Sequence, residues 1–126
     1  MTIPLFPQIR DHILKLVRER CHITFKELAD EVSGFAGNGL MEFGEFPGLV
    51  LWAGISALAA ETLQTLLRDK TIYLHPTPPL NYLIEGYISP MPLAKRVRTY
   101  KYPRWIPMTV STDPPRTGRH LRGNKV

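Results

Sequence analysis

Apolar spacing and cap residues mark three helical windows in this chain, residues 7–20, 25–32 and 56–68, and most of its twelve prolines and nine glycines fall outside them. In the first window Ile9, Ile13, Leu16, Val17 and Cys21 recur at helical spacing, with Arg10, Lys15, Arg18 and Glu19 between them. Pro7 suits a first turn, where its missing N–H would be unpaired anyway. In the second, Thr24-Phe-Lys-Glu27 spells a capping box: the Thr24 hydroxyl accepts from the Glu27 N–H while the Glu27 carboxylate returns to the Thr24 N–H. Phe25, Leu28, Ala29 and Val32 then face inward. In the third, Ser56 caps a helix to Arg68 whose buried stripe is Leu58, Leu63, Leu66 and Leu67, with Thr62 among the outward positions.

Between the second and third windows, residues 34–54 carry five glycines and Pro47 before Gly54, which reads as an inserted loop. Leu49–Trp52 is its one apolar run, a short buried strand or an apolar plug. Beyond the third window, Thr71–His75 and Leu80–Ile84 are rich in β-type residues around Pro76-Thr-Pro-Pro79, the pattern of a hairpin. Prolines from Pro90 onward discourage regular structure, and disorder is expected beyond about residue 112.

Charge divides the chain at the same place. Residues 1–92 hold seven Lys/Arg and ten Asp/Glu, net −3, whereas residues 93–126 hold nine Lys/Arg and one acid, Asp113, net +8. The sequence therefore implies a folded domain over 1–92 and a basic, proline-rich arm with a disordered tail over 93–126. Such asymmetry points to a polyanion, nucleic acid or an anionic membrane surface. No apolar run approaches the length of a membrane span, the start lacks a secretory pattern, and a lone cysteine fits a reducing compartment; the expectation is a cytoplasmic protein.

The order helix, short strand, helix, connection, helix, hairpin resembles the winged helix-turn-helix superfamily, on Ile23–Val32 for the entry to the second helix and Ile55–Leu74 for the third helix running into a wing. The resemblance implies an α+β, winged-helix-like fold of three helices with a C-terminal β-hairpin wing, followed by the extended basic tail. It also implies a regulator that binds nucleic acid, DNA before RNA, through wing and arm. Two departures stand out. About twenty residues join the second and third helices where a tight turn is usual. The helix in the recognition position offers Gln64 and Thr65 but no Arg or Lys before Arg68, and base reading leans on such cations. A nearly uncharged third helix together with the 34–54 loop equally suits a protein-docking adaptor.

The strongest chemical signal is Lys95-Arg96-Val-Arg98-Thr-Tyr100-Lys101-Tyr102-Pro-Arg104-Trp105. Cations give sequence-independent affinity for phosphates, and interleaved rings stack on unpaired bases. If extended, Arg96, Arg98, Tyr100 and Tyr102 share one face; the alternative is an edge strand with its tyrosines packed inward. Arg116, Arg119, His120, Arg122 and Lys125 form a second basic cluster. The site set is thus Gln64, Thr65, Arg68, Lys95, Arg96, Arg98, Tyr100, Lys101, Tyr102, Arg104 and Trp105. Enzyme chemistry finds no footing. Gly34–Gly39 lacks the Gly-Lys-Ser/Thr ending of a phosphate loop, Cys21 with His12 and His22 has no metal-ligand spacing, and Cys21 reads as a buried helix-end thiol. No cofactor is implied, and the reading is a binding protein rather than an enzyme.

Overall fold

A computed structural model describes residues 6–115. The basic cluster from Arg116 and most of the expected disordered tail lie outside the described residues. The elements are α1 (Phe6–Arg20), β1 (Ile23–Thr24), α2 (Phe25–Glu31), β2 (Ala36–Glu42), β3 (Leu49–Ile55), α3 (Ala57–Arg68), β4 (Tyr73–Pro76), α4 (Pro79–Ile84), β5 (Arg104–Trp105) and β6 (Met108–Ser111). The chain is α+β, with two three-stranded sheets ordered β1-β6-β4 and β2-β3-β5. No described helix is long and apolar enough to cross a membrane.

The three helical windows become α1, α2 and α3. At α2 both halves of the capping box form, Glu27 N–H to Thr24 Oγ1 at 3.1 Å and Thr24 N–H to Glu27 Oε1 at 3.5 Å. Ser56 Oγ accepts from the Ala59 N–H at 3.1 Å and starts α3. The stripe of α3 is rotated from the expected one: Ala59, Thr62, Leu63 and Leu66 are buried, and Leu58 and Leu67 only half-buried. Thr62 turns inward because its hydroxyl donates to the Leu58 carbonyl at 2.7 Å, which removes the cost of burying it. Cys21 is exposed, not buried, because the chain leaves α1 there with a φ of 41° that turns the side chain out of the helical stripe.

Three parts of the chain differ from the sequence reading. The 34–54 segment is a β-hairpin: β2 pairs antiparallel with β3, and β3 is buried along Leu49–Trp52. The expected wing hairpin does not form between neighbours in sequence. β4 pairs instead with β6, Tyr73 opposite Ser111 and Pro76 opposite Met108, while Leu80–Ile84 is helical. Pro79 presets the first turn of α4, and one inward side chain, Tyr82, takes the place of an alternating strand face. The third difference is the boundary at residue 92. Residues 93–111 are part of the folded body: β5 runs parallel to β3, Pro107 intervenes, and β6 then sits at the centre of the other sheet between β1 and β4. Met108, Thr109, Val110 and Ser111 are all buried.

A chain ending at Ser89 would lose β5 and the central strand β6. It should expose hydrophobic surface and melt without a cooperative transition, whereas a chain ending at Pro115 should melt as one unit. Calorimetry on the two distinguishes these outcomes.

A second expectation concerns Glu85, at the end of α4, whose Oε1 accepts from the Thr24 hydroxyl at 2.5 Å. Burial raises its carboxyl above the ordinary value of 4.5; the Thr24 bond opposes this, and the neighbouring Glu27 adds to it. The folded state thus holds this proton more tightly than the unfolded chain. Its contribution to stability is complete at low pH and is lost as pH rises through the raised value. Glu85→Gln removes that loss, so the melting-temperature advantage of the variant over wild type should grow between about pH 4 and pH 7. A constant difference across that range contradicts the assignment.

Candidate nucleic-acid interface

Residues 95–103 form a loop that leaves the body at Ala94 and re-enters it at β5. Its base is clamped by paired backbone groups: Ala94 N–H to the Trp105 carbonyl at 2.7 Å and Trp105 N–H to the Pro92 carbonyl at 2.9 Å. The hairpin turn before β3 supplies the second clamp. Tyr100 N–H donates to the Pro47 carbonyl at 2.9 Å, and Arg104 N–H donates to the Gly48 carbonyl at 2.8 Å. Gly48 is required at this approach. Its φ is 86°, and a Cβ there would fall on the Tyr100 carbonyl.

Tyr100 organises the loop from inside. Its hydroxyl donates to the Arg96 carbonyl at 3.0 Å and accepts from the Arg96 N–H at 3.2 Å, folding the loop across four residues. The Arg98 and Arg104 guanidiniums lie 5.0 and 5.4 Å from the centre of its ring. The ring's quadrupole favours cations at that range and holds two like charges near each other. Lys95, Arg96, Arg98, Tyr100 and Arg104 together line a concavity of about 300 Å³. Lys101 lies 5.7 Å from the ring of Tyr102, which is 71% exposed.

Five cations stand in the ten residues 95–104, and no acid occurs between Glu85 and Asp113. Among the described residues none of the five makes an ion pair with a carboxylate; every such pair lies on α1 or α2 or links them. Among the described residues the loop is therefore a cationic surface without carboxylate partners.

The structure brings Lys95, Arg96, Arg98, Tyr100 and Arg104 together, with Lys101 and Tyr102 adjoining. Trp105 does not belong with them. It is 5% exposed and packs edge-on against Tyr82 and Tyr87, at 5.0 and 5.4 Å between ring centres, so it has no face to offer a base. The extended strip with four side chains on one face is also replaced, because the Tyr100 hydroxyl curls the backbone back on Arg96. Of the third-helix set, Gln64 and Arg68 are exposed and Thr65 half-buried; Gln64 and Arg68 border a different concavity from the loop. Pro47 and Gly48, which hold the loop, escaped sequence reasoning. Their only signal is a Pro-Gly pair, which reads as a local turn. No family model, curated protein or solved structure matches the chain.

Proposed function

We propose that this chain is a nucleic-acid-binding domain of winged-helix type that grips phosphates with its 95–104 loop, with DNA as the first partner. The observation that carries the reading is the set Lys95, Arg96, Arg98, Lys101 and Arg104, without a carboxylate partner among the described residues, in a loop folded around Tyr100. A protein that clusters like charges without carboxylate partners gains when an anion arrives, since binding phosphate releases condensed counterions. The winged-helix part is supported by the order α1, β1, α2, then α3 and β4 after the intervening β2–β3 hairpin, and by the return of β6 between β1 and β4. In that reading residues 77–107 are one long wing and the basic loop belongs to it, so wing and arm are a single binding element. The third helix contributes little to base choice, because Glu61 is exposed on it and Gln64 and Arg68 flank another groove.

Replacing Arg96, Arg98, Lys101 and Arg104 together with Gln should weaken binding to random-sequence duplex DNA without favouring any sequence. The slope of log affinity against log salt should shrink by up to about 0.9 for each phosphate that the variant no longer neutralises. Circular dichroism establishes that both proteins are folded. Equal binding by the variant and wild type would refute the reading.

A subtler variant separates shape from charge. Tyr100→Phe keeps all five cations and the ring but drops both bonds to Arg96. Affinity should fall about threefold because the loop is less ordered before binding, with the salt slope unchanged. A changed slope would mean that the tyrosine acts through charge placement alone.

A further inference from the structure

A second concavity, of about 450 Å³, lies between the C-terminal half of α3, the β2–β3 hairpin and β4. Its floor is Met41, Leu51 and Ile72, all buried, and its walls are the half-buried Phe43, Leu67 and Leu74. That volume falls within the range of small-molecule sites, and such sites combine an apolar lining with a few polar groups that fix orientation. Here the polar groups stand at the mouth: Gln64 and Arg68 from α3, Tyr73 from β4 and Glu42 from β2.

The two charges of that mouth are not equivalent. Glu42 is committed to the hairpin, its Oε2 accepting from the Gly48 N–H at 2.9 Å. Arg68 is exposed and bonds only to the Thr65 hydroxyl, at 3.4 Å; among the described residues it has no carboxylate partner, Glu42 included. One uncommitted guanidinium beside a side-chain amide, over an apolar floor, selects a ligand with an apolar body and an anionic end. Arginine's fork matches a carboxylate in two bonds at once.

We propose that this groove binds a small organic carboxylate of the acyl or aryl acid class, its body on Leu51, Leu67 and Leu74 and its carboxylate at Arg68. The site is independent of the basic loop, which lines its own concavity and offers no apolar floor. Among the other exposed apolar side chains is the ridge of Leu80, Leu83, Ile84 and Ile88, between 54% and 79% exposed. No lysine or arginine occurs from Thr71 to Ala94, so that ridge has no neighbouring cation in sequence with which to prefer an acid over an alcohol.

The test uses the full chain with two probes of equal apolar length, sodium octanoate and 1-octanol, followed by methyl NMR. Octanoate should bind saturably, with a dissociation constant on the order of a millimolar, and shift the methyls of Leu51, Leu67, Ile72 and Leu74. It should bind about tenfold more tightly than octanol, and Arg68→Gln should erase that difference while octanol binding stays the same. Arg68 is exposed, so this variant is expected to fold. Equal affinity for the two probes overturns the proposal. So does a response confined to the Leu80–Ile88 ridge, or no saturation up to about 10 mM.

Discussion

The Tyr82 hydroxyl ties together three parts of the chain that are far apart in sequence. It donates to the Met108 carbonyl at 2.6 Å and accepts from the Phe25 N–H at 3.1 Å, with the side chain fully buried. Phe25 opens α2, Met108 opens the central strand of one sheet, and Tyr82 is the inward residue of α4. Burial raises the phenol's pKa, so the hydroxyl stays neutral and keeps its proton as a donor. Without that oxygen a buried carbonyl and a buried N–H would both lack partners, at a cost of about 1–3 kcal/mol each. The ring also sits within an aromatic group of Trp52, Tyr87 and Trp105, with centres 5.0 to 6.2 Å from its own.

That group also contains an opposing term. The indole N–H groups of Trp52 and Trp105 are buried without an acceptor among the described residues. Each orphaned donor costs about 1–3 kcal/mol. Burying a large aromatic side chain removes about 200 Å² from water, about 5 kcal/mol at 25 cal/mol per Å². Burial wins for each ring, and the edge-on packing of Trp105 against the tyrosines adds to it. The tryptophans therefore serve as core, and Trp105 fixes the point at which the chain re-enters the body after the basic loop.

What could be read from the sequence follows the range of the interaction. Helices α1, α2 and α3 were legible because their signals are local: the box Thr24 to Glu27, the cap at Ser56, and apolar residues at helical spacing. The pairing of β4 with β6 was not, since about thirty residues separate Pro76 from Met108 and no residue type marks the partner of a strand. Leu80–Ile84 carried strand-type residues, yet Pro79 favoured a helix start, and burying a single tyrosine outweighed β propensity. The loop's cations were plain in the sequence. Their arrangement was not, because it depends on Gly48 meeting Tyr100 across about fifty residues.

The net charges of the two halves understate how completely the molecule segregates charge. On α1 and α2 acids and bases neutralise one another: Arg20 bonds to both Glu27 and Glu31, Lys26 pairs with Asp30, and Lys15 lies 3.9 Å from Glu19. The Arg20 bonds hold Glu31 below and Arg20 above their ordinary ranges, so both remain charged across the physiological window. Exposed pairs of this kind contribute little to stability. Their effect is on the field, because each leaves a locally neutral surface. Among the described residues the loop cations have no such neighbours; Arg98 and Arg104 lie over the Tyr100 ring and Lys101 over that of Tyr102. Aromatic support positions a guanidinium without cancelling its charge.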